Sequence, residues 1–243
     1  MTELYQFAIS HYCEKARWAL DHKNISYKTR NLLPGPHISQ VKKIARKSEV
    51  PVLKINGEVI QGSGNIIDYL DKHYADASLT PENETEKQEA AEWETLADKQ
   101  LGIPIRLFIY STIINDSSKI IPLWTRYGPW YGNLFYKLFF SKVRRAVKKG
   151  MNVNPESAKA AKGDIKNAIQ TLNNELSEKR YLVGNKLSRA DISVCSMLAP
   201  FVLPEKSYMQ NYLPYPDEAL AFREQFVDNR LFEWVDSIYS NHR

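Results

Sequence analysis

The spacing of apolar residues changes once along this chain, and that change limits the folds open to it. Up to about residue 76, short apolar runs of strand length alternate with helical stripes; beyond it only helical spacing recurs. Residues 4–9 read as a strand, and Cys13, Ala16 and Leu20 then share one helical face. Residues 25–33 hold a second strand, closed by the breaker Pro34-Gly35-Pro36. Ile38, Val41, Ile44 and Ala45 suit a second helix. Residues 50–55 and 58–60, joined at Asn56-Gly57, read as an antiparallel hairpin with a type I′ turn. Ile66, Ile67 and Leu70 mark a third helix starting near Ser63. The order βαβ then ββα predicts a small α/β sandwich.

In the second half, the polar run 80–84 opens a long helix through Trp93 and Leu101. Ala161, Ile165, Ala168, Leu172 and Leu176 form one apolar stripe over residues 156–178. Ser188-Arg189-Ala190-Asp191 has the form of a capping box with Asp at N3, and Leu187 and Ile192 stand where a hydrophobic staple needs them. The expected organisation is an α/β domain over 1–76, a linker over 77–84 and an all-helical domain over 85–243. A chain of 243 residues, 43% hydrophobic, can build two modest cores. Lys and Arg exceed Asp and Glu by 33 to 28, an excess too mild to be read as a nucleic-acid footprint. Two distant cysteines, Cys13 and Cys195, make no disulfide framework and suit a reducing compartment. The N-terminus has no secretory pattern, and no run reaches about 18 apolar residues, so a cytoplasmic location is expected.

The chemistry concentrates in three short stretches. A strand running into a helix at Ser10-His11-Tyr12-Cys13 presents unpaired backbone N–H groups that favour negative charge, a thiolate included. Cys13 on that first turn would have its own pKa lowered, yet it shares a stripe with Ala16 and Leu20 and packs well as a small hydrophobe. Ser10 is either a helix N-cap worth about 1 kcal/mol or the donor to a bound thiolate, and the two uses compete for one hydroxyl. Pro51 at the head of a strand removes a ladder donor. A cis Val50-Pro51 bond facing the Ser10 turn would leave the backbone of Val50 free to pair with a ligand's peptide groups. Gly62-Ser63-Gly64 supplies a second anion site at a helix start, with room for close backbone approach. Each element alone is common. Together they describe a thiolate pocket, a strand edge for a peptide and a carboxylate pocket, with no metal site among them.

Ser10-x-x-Cys13, Val50-Pro51 and Ser63 at the head of the third helix resemble the thioredoxin-like domain of the cytosolic glutathione S-transferase superfamily. The stretch YLVGNKLSRADIS, residues 181–193, is similar to the capping-box signature of that family's helical domain. The resemblance implies glutathione as co-substrate, without metal, and Ser10 as the catalytic group. It implies that Val50 and cis Pro51 meet the cysteinyl unit and that Ser63 holds the γ-glutamyl carboxylate. His37 or Lys47 would reach the glycyl carboxylate, and Asp191 would be a structural capping acid. Gly62 stands where the family usually has an acidic residue or Gln, with Gln61 one place off. SHYC resembles a glutaredoxin-type CPYC that has lost its attacking thiol. Cys13, Tyr12 and Tyr5 remain as alternative thiol or donor.

The reaction so implied is conjugation of glutathione to a small apolar electrophile held between the domains, with Arg106, Tyr110 and Trp124 as candidate contacts. The alternatives are a glutathione-dependent thiol reductase or isomerase of the same fold, and a non-catalytic glutathione-binding or interaction protein. The family usually forms two-fold dimers, so a homodimer is expected. Residues 120–149 are aromatic-rich and end in Lys142, Arg144, Arg145, Lys148 and Lys149. A membrane-surface helix has that composition. So has a pocket wall with a solvated basic face, which is the expectation adopted, without membrane contact.

Overall fold

The computed structural model describes residues 1–177, 179–209 and 215–243. Four short strands, β1 (Glu3–Gln6), β2 (Lys28–Asn31), β3 (Val52–Ile55) and β4 (Glu58–Gln61), form one sheet in the order β2-β1-β3-β4. β1 pairs with β2 in parallel, Glu3 opposite Lys28, which requires the crossover helix α1 (His11–His22). β3 pairs antiparallel with β1 and with β4. Asn56 and Gly57 both have positive φ, 51° and 83°, as the type I′ turn demands. Helix α2 (His37–Val41) and helix α3 (Ser63–His73) complete this unit.

Besides β3, which starts at Val52 rather than residue 50, three elements are shorter than periodicity predicts. β1 stops at Gln6 because the chain then turns into α1, the Ser10 N–H donating to the Phe7 carbonyl at 3.1 Å. β2 ends with it at the Gln6–Asn31 pair, so Leu32 and Leu33 are buried beyond the strand. Past α2, Ile44 and Ala45 pack against Val41 and Val52 without continuing the helix.

From residue 84 onward the described elements are helical: α4 (Glu84–Leu96), α5 (Ile103–Ile113), α6 (Ser117–Thr125), α7 (Gly132–Gly150), α8 (Pro155–Glu175), α9 (Arg189–Val202), α10 (Asp217–Arg223) and α11 (Arg230–His242). α4 and α5 are joined by a wider π turn over Ala97–Gly102. The core of this half is α9, buried from Ala190 through Val202. Its capping box is formed: Asp191 accepts the Ser188 N–H at 2.8 Å and the Leu182 N–H at 2.8 Å.

The two halves meet through a buried charge network. Lys15 of α1, fully buried, lies 2.9 Å from Glu94 and 2.8 Å from Asp98. Arg189 at the head of α9 pairs with Glu94 and with Asp68 of α3, each at 2.6 Å. Alternating signs across four elements keep each buried charge compensated, which desolvated ions require. Gly64 sits where a Cβ would lie 3.1 Å from Glu94 Oε1, so the start of α3 packs directly on this network.

Candidate active site

A cleft of about 1830 Å³ runs between the sheet unit and the helices. Small-molecule pockets are commonly about 300–1,000 Å³, so this one has room for two ligands. Of the residues singled out from sequence, Ser10, Tyr12, His37, Lys47, Val50, Pro51, Gly62, Ser63, Arg106 and Tyr110 all line it. Tyr5, Cys13 and Trp124 do not.

Ser10 caps α1: its Oγ accepts the Cys13 N–H at 3.3 Å. Capping uses an oxygen lone pair and leaves the hydroxyl hydrogen to donate, so the two uses expected to compete are compatible. The Val50-Pro51 bond is cis. Among the described residues no group hydrogen-bonds the N–H or C=O of Val50, while the Pro51 carbonyl accepts the Gly62 N–H at 3.0 Å. That bond draws the proline turn against the start of α3. Gly62 is the N-cap of α3 at φ 98°, a left-handed conformation that glycine adopts without steric cost. Ser63, 5% exposed, occupies the first helical position.

Gln61, one place from Gly62, is engaged by the backbone. Its Oε1 accepts the Lys47 N–H at 3.2 Å, and its Nε2 donates to the carbonyls of Lys47 at 2.8 Å and Glu49 at 2.9 Å. The side chain is spent on the backbone of the loop that carries Val50. Lys47 is tethered by the same amide, with its exposed side chain at the cleft. His37 stands edge-on to Phe7, ring centres 4.7 Å apart, and its Nδ1 accepts the Gly35 N–H at 3.1 Å. Burial lowers its pKa below the ordinary histidine value.

The alternative nucleophile and donors are displaced by their surroundings. Cys13 is fully buried, and burial pushes its thiol up despite the nearby Arg17 charge and the Ser10 hydroxyl. The helix-terminus argument for a reactive Cys13 therefore loses to desolvation. Tyr5 points away, its hydroxyl donating to Glu3 Oε2 at 3.2 Å and its ring facing Lys54. The Tyr12 hydroxyl is at the cleft but donates to the Asp98 carbonyl at 2.6 Å, and burial pushes its pKa up to about 12.

On the helical side, Arg106 places its guanidinium carbon 6.0 Å from the centre of the Tyr12 ring and has no carboxylate partner among the described residues. Tyr110 lines the cleft, and its hydroxyl accepts the Trp124 indole N–H at 3.0 Å. Trp124, 4% exposed, packs on Tyr136 and Phe140 and so supports Tyr110 from behind rather than meeting a ligand.

Sequence reasoning passed over His11. It lines the cleft, is 4% exposed, and its Nε2 has no hydrogen-bond partner. Burial, then the charges of Arg106 and Lys15, hold its pKa down to about 3, so the ring is neutral at pH 7. Its place between Ser10 and Tyr12 was the available signal. Among the described residues no cluster of His, Cys, Asp and Glu could hold a metal ion.

Residues 4–81 match the model of the glutathione S-transferase N-terminal domain, and residues 134–207 match that of the C-terminal domain. A probable maleylacetoacetate isomerase of Caenorhabditis elegans is 26% identical over 92% of this chain and 90% of its own length. A probable glutathione S-transferase of Solanum tuberosum is 22% identical over 91% and 87%. Among solved structures, the beta-etherase LigF of Sphingobium sp. strain SYK-6 superposes with a TM-score of 0.63 at 20% identity, covering 98% of both chains. A glutathione S-transferase of Methylobacillus flagellatus with glutathione bound superposes at 0.58 and 19% identity, covering 97% of this chain and 98% of that one. With both domain models matched in order along the chain, this chain belongs to the cytosolic glutathione S-transferase superfamily.

Proposed function

We propose that this protein conjugates glutathione to a small apolar electrophile, with residues 1–76 as the glutathione-binding unit, 77–84 as linker and 85–243 as the helical unit. The observation that carries the reading is the Ser10 hydroxyl at the head of α1, whose oxygen caps the helix and whose hydrogen is free to donate, on the same cleft as the unpaired backbone of Val50. Val50 would pair with the cysteinyl unit, Ser63 would hold the γ-glutamyl carboxylate at the start of α3, and Lys47 or His37 the glycyl carboxylate. Ser10 then donates to the glutathione sulfur, and the thiol proton leaves to solvent. The thiolate attacks the electrophilic carbon, a C–S bond forms, and the leaving group departs with its electron pair.

An ordinary thiol with a pKa near 8.5 needs about 2.7 kcal/mol of thiolate preference to fall by about two units. One charge-assisted hydrogen bond of about 1.5–3 kcal/mol and a helix N-terminus of about 0.3–1 kcal/mol cover that. The test is the pH-dependent ultraviolet difference spectrum of bound glutathione. Wild type should form thiolate well below the free pKa, and Ser10→Ala should lose most of that depression. An unchanged value in Ser10→Ala would dismiss the serine.

Glutathione-dependent isomerisation is the second reading. Arg106, a cation in the cleft without a carboxylate partner, suits an anionic substrate, and the nematode relative is named for a carboxylate. Both readings take the protein as a cytoplasmic homodimer, which light scattering and cell fractionation would test.

A further inference from the structure

From residue 117 to residue 155 the chain holds eight Lys and Arg residues and no Asp or Glu, although its overall positive excess is only five. About half of this segment's length is α7, and α7 has two distinct faces. Val143, Ala146, Val147 and Gly150 look into the cleft. On the opposite side Leu134 and Leu138, one turn apart, are 57% and 70% exposed. Lys142, Arg145 and Lys149 are exposed and continue the same stripe toward the C-terminal end. Trp130, immediately before the helix, is 91% exposed. Single exposed apolar residues are ordinary; a Trp and two Leu in line, adjoining a basic stripe, form a patch that calls for an occupant.

We propose that this outer face of α7 docks on an anionic lipid bilayer, with Trp130, Leu134 and Leu138 entering the interface and Lys142, Arg145 and Lys149 meeting the headgroups. Helices that lie on a bilayer surface combine Trp, Phe or Leu entering the headgroup boundary with Lys and Arg drawn to anionic lipid; on α7 both kinds share one exposed stripe, apolar toward its N-terminal end and basic toward its C-terminal end. Anionic headgroups complement a segment that carries no carboxylate of its own. A second copy packed on the same face about a two-fold would set one basic stripe against the other with no acid from this segment between them. A nucleic acid would satisfy the cations and leave Trp130, Leu134 and Leu138 in water. Among the described residues no helix is long and apolar enough to cross a membrane, so contact is with the surface.

The docking does not depend on glutathione chemistry. Its consequence does: the inner face of α7 is a wall of the cleft, so docking on the outer face holds the proposed electrophile site one helix away from the phase where apolar electrophiles concentrate.

The experiment is co-sedimentation of the full chain with phosphatidylcholine vesicles and with vesicles of about one third phosphatidylserine, at low and at high salt. The protein should pellet with the anionic vesicles, with a blue shift in tryptophan emission that Trp130→Phe reduces, and stay in solution with the neutral ones. Leu138→Glu should abolish pelleting. Lys142→Ala with Arg145→Ala should weaken it about thirtyfold, at about fivefold for each surface charge. All four positions are exposed, and far-ultraviolet circular dichroism verifies the fold. Wild type remaining in the supernatant with anionic vesicles at low salt overturns the proposal. So does equal binding to neutral vesicles, pelleting that survives Leu138→Glu, or a dimer that Leu138→Glu dissociates without any vesicle binding. Glutathione titration of the same samples judges the conjugation reading separately.

Discussion

Replacing Gln61 by Ala tests whether this side chain shapes the glutathione site through the loop or by touching the ligand. Three hydrogen bonds tie its amide to the backbone of Lys47 and Glu49. They lie near solvent, so each is worth about 0.5 kcal/mol net, at the lower end of the usual range, and together about 1.5 kcal/mol. That energy is local, because the freed backbone groups can be rehydrated while β3 and β4 stay paired. Opening of the loop should become about tenfold more frequent. Amide hydrogen exchange in the ligand-free protein reads this directly, since the Lys47 N–H donates to Gln61 Oε1. Its exchange should accelerate about tenfold, with far smaller changes at Leu53 and Ile60 in the paired strands. Titration calorimetry should then find glutathione bound several-fold more weakly, because the Val50 loop must be ordered on binding. Weaker binding with unchanged Lys47 exchange would refute the reasoning and make Gln61 a direct ligand contact.

Two further outcomes follow from buried charge. Lys15→Met leaves Glu94 and Asp98 without their shared cation, and breaking a buried pair in this way costs about 3–5 kcal/mol; urea unfolding should show it, and a loss under about 1 kcal/mol would mean water enters the network. His11, with a folded pKa near 3 against an ordinary 6.5, is protonated in the unfolded chain before it is in the native one. Its contribution to stability is complete above pH 6.5 and is lost as pH falls toward about 3. The groups facing it are the Arg106 and Lys15 charges and the Gly102 backbone. His11→Asn should flatten the pH dependence of thermal unfolding between those limits, and an unaltered slope would show that other groups govern it.

Local order was legible because it is set by neighbours in sequence. The change of period near residue 76, the Asn56-Gly57 turn, the start of α3 at Ser63 and the capping box of α9 each depend on residues within a few positions of one another. The gathering of Ser10, Val50, Pro51 and Ser63 is not local in that sense, and it was expected only once a strand–helix turn and a hairpin were placed in one small sheet. Which side chain faces the cleft was not local. Tyr5 and Tyr12 differ by the face of a strand and the phase of a helix, and Trp124 is one layer too deep by the packing of α6 on α7. Cys13 is silenced by desolvation, which the whole surrounding core produces. His11 is neutral because burial, and then the charge of Arg106, distant in sequence, disfavour its protonation, and Gln61 is committed because of a loop that precedes it by a full hairpin. The composition of α7, aromatic then basic along the chain, was legible; which of its faces lines the cleft and which stands in solvent came only with folding. Sequence alone sets the elements, their order and the residue types that line the cleft at Ser10, Val50, Pro51 and Ser63. Burial and electrostatics decided the roles, because both are sums over neighbours that only folding brings together.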